Sequence, residues 1–273
     1  MGRMDLGLRD RVYLVTGGSR GLGFAAARAL VADGARVLLS SPHESTAAAA
    51  VARIAQDAGP GAAAWAIADN AGPDVPDQLI AAARDRFGRL DGALISVGGS
   101  PGGTVAGTED EVWRSAFESV FLGAVRLARV LAADLDGESH DGAVPASLTG
   151  TGGSIALVLA ASVRTPLPGL AVSNGLFPGL AGVVKTLADE HGPSGTRING
   201  LLPVRIATDR VRQLDALAGD PDEVRARLSR NIPLRRYGEP AEFGRAAAFV
   251  LSPAASYITG AMIPVDGGAI RSI

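Results

Sequence analysis

Short apolar runs alternate with alanine-rich segments of helical spacing along most of the chain. The apolar runs predict strands at residues 12–15, 35–39, 62–68, 91–97, 154–161, 197–202 and 261–265. The segments between them predict helices at residues 24–32, 45–58, 75–87, 109–135, 171–190 and 240–251, with a helix pair inside residues 206–230. Strands that alternate with helices form right-handed crossover units in a parallel sheet. The pattern therefore predicts an α/β fold with one doubly wound parallel sheet and helices on both faces.

Two segments and one helix face need separate predictions. Residues 136–152 are rich in Gly, Ser, Asp and Pro, and predict an exposed inserted loop. Residues 206–230 are expected to form a lid that covers the sheet edge and shapes a substrate pocket. The predicted helix at residues 109–135 carries aromatic residues on one face, which favours a core or subunit contact. These aromatic residues are Trp113, Phe117 and Phe121.

The composition is typical of one soluble domain. The chain has 273 residues, 47% of them hydrophobic, which is enough for one large core across residues 1–273. The net charge of −2 gives no broad basic field, so we expect a small-molecule substrate and neither a nucleic acid nor a membrane as partner. Because the chain has no cysteine, disulfides and thiolate metal sites are excluded. Residues 1–10 show no signal-peptide pattern, and a cytoplasmic protein is expected.

A glycine-rich turn follows the first predicted strand. Residues 16–23 read Thr-Gly-Gly-Ser-Arg-Gly-Leu-Gly and open the first predicted helix. A helix start presents unpaired backbone N–H groups and a positive dipole end, which together favour phosphate. The glycine spacing differs from G-x-G-x-x-G and matches Thr-Gly-x-x-x-Gly-x-Gly. The turn predicts a nucleotide-phosphate site, and a tight strand-to-helix connection without a ligand is the alternative.

Further motifs follow this turn in order. They are Asp69-Asn70, Leu90-Asp91, Arg197-Ile198-Asn199, Pro203 with Thr208, and the stretches at residues 233–240, 257–260 and 265–268. Through them the chain resembles the short-chain dehydrogenase/reductase family over nearly its whole length, and within it the 3-oxoacyl-carrier-protein-reductase-like members. The resemblance implies a single Rossmann-like domain with a seven-stranded sheet and a nicotinamide cofactor across the carboxyl ends of the strands. It also implies a homodimer or homotetramer, built through the helices that contain Glu109 and Ala171.

The resemblance assigns cofactor contacts to residues in five segments of the chain. These residues are Gly17, Ser19, Arg20, Gly21, Leu22, Gly23, Ser41, Asp69, Asn70, Gly98, Pro203, Ile206 and Thr208. An NAD site usually has a carboxylate at the end of the second strand, where it would repel the extra phosphate of NADP. Ser40 and Ser41 stand at that place, and Arg20 offers a guanidinium to a phosphate. We therefore expect NADP(H) to be favoured over NAD(H).

The sequence departs from the family at the catalytic positions. The family's Asn, Ser, Tyr and Lys correspond here to Val120, Ala160, Ser173 and Phe177. Lys185 is the only lysine, and it does not stand four residues after any tyrosine, so the chain contains no Tyr-x-x-x-Lys motif. We therefore expect a non-standard proton-transfer arrangement.

Other polar residues near the expected pocket are candidates for catalysis. They are Arg164, Ser173, Ser162 and Asn174, with Ser96 and Thr165 close by in the sequence pattern. A fixed arginine such as Arg164 could stabilise an enolate or alkoxide, although an exposed structural arginine is the alternative. Ser173 and Asn174 could equally cap the helix or bond to local backbone. The histidines, His43, His140 and His191, lack metal-ligand spacing, so no metal is expected.

Three functions remain open from the sequence. The first is an atypical NADP(H)-dependent oxidoreductase acting on a carbonyl/alcohol pair of a polyketide-like small molecule, in specialised metabolism. The second is a non-redox cyclase, dehydratase or isomerase on the same scaffold. The third is a catalytically silent subunit that binds cofactor or stabilises an active relative.

Overall fold

Seven parallel strands form one sheet in the computed structural model, which describes residues 5–96, 98–136 and 152–272. The strands are β1 (Val12–Thr16), β2 (Arg36–Ser41), β3 (Ala63–Ile67), β4 (Gly92–Ser96), β5 (Ser154–Val158), β6 (Arg197–Pro203) and β7 (Met262–Val265). Their order in the sheet is β3-β2-β1-β4-β5-β6-β7. The order reverses between β1 and β4, so a crevice opens there at the carboxyl ends of the strands.

Helices cover both faces of this sheet. They are α1 (Gly21–Ala32), α2 (Glu44–Ala58), α3 (Val75–Phe87), α4 (Asp110–Ala116), α5 (Gly123–Asp136), α6 (Ala171–His191), α7 (Asp209–Leu217), α8 (Pro221–Ser229) and α9 (Pro240–Leu251). A π-helical segment, Phe117–Leu122, joins α4 to α5. Within the described residues, no helix is long and apolar enough to cross a membrane.

The predicted α/β fold with one doubly wound parallel sheet is confirmed. The bounds predicted for α3 and α9 agree with the structure, and the helix pair expected in residues 206–230 is α7 with α8. The single helix predicted at residues 109–135 is wrong in detail, because the π segment interrupts it. Most of the predicted loop at residues 136–152, with His140, lies outside the described residues, as does Val97.

The core has one apolar layer on each face of the sheet. Alternate residues of each strand enter opposite layers, as for Leu14 and Val15 in β1. One layer packs the sheet against α3, α5 and α6, and the other packs it against α1, α2 and α9. Strands β1, β2, β4 and β5 are buried along most of their length, which explains why the apolar runs identified them so well.

Glycines allow neighbouring helices to approach closely. A Cβ added to Gly244 of α9 would lie 2.3 Å from the carbonyl oxygen of Ala25 in α1. The rings of Trp113 and Phe121 pack in the same way against glycines of α6. The ring of Phe117 stacks on Phe121 with centroids 5.2 Å apart, but Phe117 itself is 45% exposed. The predicted aromatic face therefore divides into a packed part and an exposed part.

A buried arginine connects β6 to the end of α9. Arg197 donates hydrogen bonds to the carbonyl oxygens of Val250, Leu251, Ser252 and Ile258, at 3.0 to 3.4 Å. Burial lowers the pKa of this guanidinium to about 10. The carbonyl oxygens at the end of a helix carry partial negative charge, so they stabilise a cation that has no carboxylate beside it.

Candidate functional site

The glycine turn forms a tight backbone cradle between β1 and α1. Gly17 and Gly21 have positive φ values of 59° and 56°, a conformation that favours glycine. A Cβ on Gly23 would lie 2.6 Å from the carbonyl oxygen of Gly17. Arg20 precedes the helix in an extended conformation, and no acidic residue stands in the first turn of α1. The first N–H groups of α1 therefore face the turn, where an anion could accept them.

Hydroxyl groups occupy the end of β2 beside this cradle. The hydroxyl of Ser19 donates to the Ser41 Oγ at 3.4 Å, and the backbone N–H of His43 donates to the same oxygen at 3.2 Å. The Ser40 hydroxyl is buried and has no hydrogen-bond partner among the described residues. Buried polar atoms without a partner are rare in proteins, so this one indicates a place where a polar ligand group would fit. No carboxylate lies at the end of β2.

Side-chain hydrogen bonds connect the carboxyl ends of β1, β3 and β4. The Thr16 hydroxyl donates to the Ser96 carbonyl oxygen at 3.2 Å and accepts the Ser96 N–H at 2.9 Å. The Asn70 amide donates to the same Ser96 oxygen at 3.3 Å. Asp69 is exposed and accepts the N–H of Ala71 at 3.0 Å. These contacts fix Asp69 and Asn70 next to the crevice between β1 and β4.

The segment at residues 206–230, for which a lid is predicted, begins beside the glycine turn. Thr208 caps α7 by accepting the Val211 N–H at 3.3 Å, and its methyl carbon lies 3.9 Å from where a Cβ on Gly21 would be. Pro203 and Ile206 lead into this segment from β6, and Ile206 pairs with Gly238 in an isolated bridge. The structure thus brings the predicted cofactor contacts of the first and last segments together.

A buried aspartate anchors α7. Asp215 of α7 is 3% exposed and accepts hydrogen bonds from Arg205 Nη1 at 2.7 Å and from the Tyr237 hydroxyl at 3.0 Å. Burial is the main cause of a raised pKa for the Tyr237 phenol, which therefore remains a donor. Arg205 adopts a positive φ of 51° to reach this position. The anchor links α7 to the exit of β6 and to the turn before α9.

Arg210 is a residue near the crevice that sequence reasoning missed. Its guanidinium lies over Gly99 and donates from Nη2 to the Ser100 carbonyl oxygen at 3.3 Å. The same loop pairs with the start of α6, since the Gly103 N–H donates to the Gly169 carbonyl oxygen at 2.7 Å. The sequence shows only that an arginine stands two positions after Thr208. Contacts between loops follow no periodic pattern, so this contact could not be predicted from the sequence.

The predicted catalytic candidates do not all meet. The hydroxyls of Ser162 and Ser173 are 2.8 Å apart, and both residues are buried. The Asn174 side chain is used locally, since it accepts the Leu167 N–H and donates to the Leu167 carbonyl oxygen. Arg164 is exposed, and among the described residues it has no hydrogen bond or ion pair with this serine pair. Only Ser162 and Ser173 therefore form a cluster.

Apolar residues stand at three of the four positions that correspond to the family's catalytic residues. Phe177 lies one turn after Ser173 in α6 and is 5% exposed, while Val120 of the π segment is 4% exposed. Ala160 stands immediately before the short 3₁₀ turn that carries Ser162. These four positions offer one hydroxyl, that of Ser173, and no acid or ammonium group.

A separate groove of about 1110 Å³ runs along the outer faces of α1 and α9. It touches the crevice only at Arg20, Gly21 and Thr208, and its other walls include Phe24 and Arg245. Basic and acidic side chains both line it, among them Arg28 and Asp57, which form an ion pair at 2.7 Å. This groove is distinct from the crevice at the carboxyl ends of the strands.

Comparison with known proteins identifies the family. A family model described as enoyl-(acyl carrier protein) reductase matches residues 17–269. The chain belongs to the short-chain dehydrogenase/reductase family. A 3-oxoacyl-[acyl-carrier-protein] reductase of Synechocystis sp. is 32% identical over 96% of this chain and 98% of its own length.

Two solved structures of short-chain dehydrogenase/reductase proteins resemble this one over almost the whole chain. L-Sorbose reductase from Gluconobacter frateurii, complexed with NADPH and L-sorbose, has a TM-score of 0.87 at 25% identity and covers 99% of this chain and 100% of its own. An NADPH-bound short-chain oxidoreductase from Pseudomonas aeruginosa, described as containing an atypical catalytic centre, has a TM-score of 0.85 at 26% identity. It covers 97% of this chain and 98% of its own.

Proposed function

We propose that this protein is an NADP(H)-dependent oxidoreductase acting on a carbonyl/alcohol pair of a small molecule through a non-standard proton-transfer arrangement. One observation carries the proposal: the glycine cradle and the hydroxyl-lined end of β2 fit a phosphorylated dinucleotide, whereas Ser173 stands at the position of the usual proton donor and the other three catalytic positions are apolar. The NADPH-bound relatives from Gluconobacter and Pseudomonas support the choice of cofactor.

Different residues of the crevice would bind different parts of the cofactor. The N–H groups at the start of α1 would hold the diphosphate. Gly23 allows this helix start to pack against the backbone of Gly17, because a Cβ there would collide with the Gly17 carbonyl oxygen. Arg20 and Ser41 would bind the additional ribose phosphate, with no carboxylate to repel it. Asp69 and Asn70 would contact the adenine end. The lid at residues 206–230 would cover the cofactor and the substrate.

The bound cofactor supplies or accepts a hydride. A positioned acid contributes about 10² to 10⁴ in rate, whereas holding reactants in attack geometry contributes roughly 7–11 kcal/mol. Serine is a poor acid, so the Ser162–Ser173 pair would orient a carbonyl or a water molecule and would not replace a tyrosine. Water then provides the proton, and an activated carbonyl, such as a conjugated polyketide-like one, is the expected substrate.

We propose a homodimer or homotetramer in solution, built through α4, α5 and α6. The exposed ring of Phe117, stacked on Phe121, supports this, because a large apolar side chain at 45% exposure is better covered by a partner.

Cofactor preference is tested by titrating the protein with NADPH and NADH and following reduced-nicotinamide fluorescence. NADPH is expected to bind more tightly, and Arg20→Ala should weaken NADPH binding about tenfold because a charge-assisted hydrogen bond is lost. NADH binding should not change. Arg28→Ala is the matched control, since Arg28 lies in α1, directly after the turn that contains Arg20, but pairs with Asp57. Equal affinity of the parent protein for both cofactors would contradict the preference.

Turnover is tested on a panel of carbonyl compounds that includes conjugated and quinone-like members. Loss of absorbance at the reduced-nicotinamide band, dependent on the carbonyl, is the expected result. Product formation without cofactor would instead indicate a cyclase, dehydratase or isomerase. No turnover, together with a stable complex with an active relative, would indicate a silent subunit.

A further inference from the structure

A small cavity of about 410 Å³ lies between α8 and the turn that precedes α9. Four arginines line it, Arg225, Arg230, Arg235 and Arg236, and one carboxylate, that of Asp222. None of the residues assigned to cofactor contacts belongs to its walls. Four guanidinium groups against one carboxylate leave an excess of positive charge at this cavity, outside the dinucleotide crevice.

Two of these arginines are partly or fully neutralised. Arg236 forms two hydrogen bonds with the carboxylate of Glu242, both at 2.7 Å. Arg225 lies 3.9 Å from a carboxylate oxygen of Glu239, at the limit of an ion pair, and its guanidinium carbon is 5.1 Å from the centre of the Tyr237 ring. Arg225 thus keeps donors that are free to bind another group.

The other two arginines are not neutralised. Within the described residues, neither Arg230 nor Arg235 has a carboxylate partner, although Arg235 donates from Nη1 to the carbonyl oxygen of Arg230. Arg235 has a φ of 57°, in the left-handed region where a glycine would be unstrained. Arg235 therefore occupies a position whose backbone conformation favours glycine, and its side chain lines this cavity.

We propose that this cavity binds the phosphate group of a small molecule, with Arg230, Arg235 and Arg225 as donors. Phosphate carries close to two negative charges at neutral pH, which matches the two guanidinium groups that lack a carboxylate partner. The fork geometry of guanidinium suits the oxygens of a phosphate, and three arginines from α8 and the following turn converge on one volume. A carboxylate would neutralise only one of these cations.

The first test titrates inorganic phosphate into the protein by calorimetry at fixed ionic strength. Arg230→Gln should weaken phosphate binding about tenfold, since one charge-assisted contact is lost. Arg227→Gln is the matched control, because Arg227 is exposed on the same helix, carries the same charge and does not line the cavity. Arg20→Ala removes the guanidinium from the competing anion site at the glycine turn, and phosphate binding at the cavity should survive in that variant.

The second test uses the conformation of Arg235. Arg235→Gly removes a donor and also relieves the left-handed strain, so the variant should melt at the same temperature as the parent or higher in phosphate-free buffer. Phosphate should raise the melting temperature of the parent but no longer that of the variant. An unchanged or higher melting temperature without phosphate, together with no rise on adding phosphate, would show that binding is lost while the fold is kept.

Three results would overturn the proposal. They are equal phosphate affinity in the parent and in Arg230→Gln, an equal loss of phosphate affinity in Arg227→Gln, or an equal rise in melting temperature with chloride at the same ionic strength.

Methyl phosphate distinguishes a phosphomonoester from free phosphate as the ligand. If it binds as inorganic phosphate does, the cavity accepts a phosphomonoester, and if only inorganic phosphate binds, the ligand is the free anion. The outcome does not depend on the proposed cofactor or substrate.

Discussion

The ion pair between Arg236 and Glu242 shows how one residue can make stability depend on pH. The hydrogen bonds from Arg236 are the main cause that lowers the pKa of Glu242 from 4.5 to about 2. Since the pKa in the folded state lies below the ordinary value, the stabilising contribution is complete above about pH 5 and is lost as the pH falls towards the folded pKa.

Glu242→Gln is therefore expected to lower the melting temperature relative to the parent above about pH 5, and the gap should shrink between pH 4.5 and about 2. Thermal melts across this range measure the gap. Glu223→Gln, which removes one exposed carboxylate from α8, is the control for loss of a single negative charge. A Glu242→Gln gap that stays constant down to low pH would show that the charge of the pair does not contribute.

Individual residues also mark the limit of prediction from sequence. Ser40 and Ser41 became candidates because the apolar run of the second strand stops before them, and Arg20 because it lies in the glycine turn. Arg164 was a candidate by proximity in sequence alone, and the structure leaves it exposed and separate from the serine pair. Sequence proximity does not specify where a side chain points, so no pattern could have separated Arg164 from Ser162.

At the scale of elements, α1 and α9 approach so closely that a glycine is required between them. Gly244→Ala would place a Cβ against the Ala25 carbonyl oxygen and should cost about 1–3 kcal/mol of the free energy of unfolding. Gly182 lies exposed inside α6 with no atom within 4 Å of an added Cβ, so Gly182→Ala should stabilise by about 0.5–1 kcal/mol. Urea unfolding of both variants measures these changes, and effects of the same sign would refute the role assigned to Gly244.

Most elements could be predicted because their burial is simple. Strands buried on both faces appear as continuous apolar runs, and α3 and α9 have a proline at their first or second position that marks where they begin. The π segment could not be predicted, because residues 117–122 keep the apolar spacing of the helices beside them. Val120 and Phe121 of this segment both pack into the core layer that also contains α5 and α6.

At the scale of the whole molecule, the sheet and the crevice were predictable, but the closing contacts were not. Parallel strands place their carboxyl ends on one edge, so the glycine turn, Asp69 and Thr208 had to converge. The Arg210–Ser100 contact and the arginine-lined cavity join segments that are far apart in sequence or lack a motif. Such contacts depend on how residues 206–230 pack against the rest of the chain, which single-sequence patterns do not encode.

The Asp215 anchor has a consequence for how the chain can evolve. Both carboxylate oxygens are occupied, one by Arg205 and one by Tyr237, and these three residues come from three separate segments. Replacing any one of them alone would strand a charge or a polar group in the interior. Related chains should therefore inherit the three positions as a unit or exchange them together for apolar residues, and an alignment in which they vary independently would show that the anchor is dispensable.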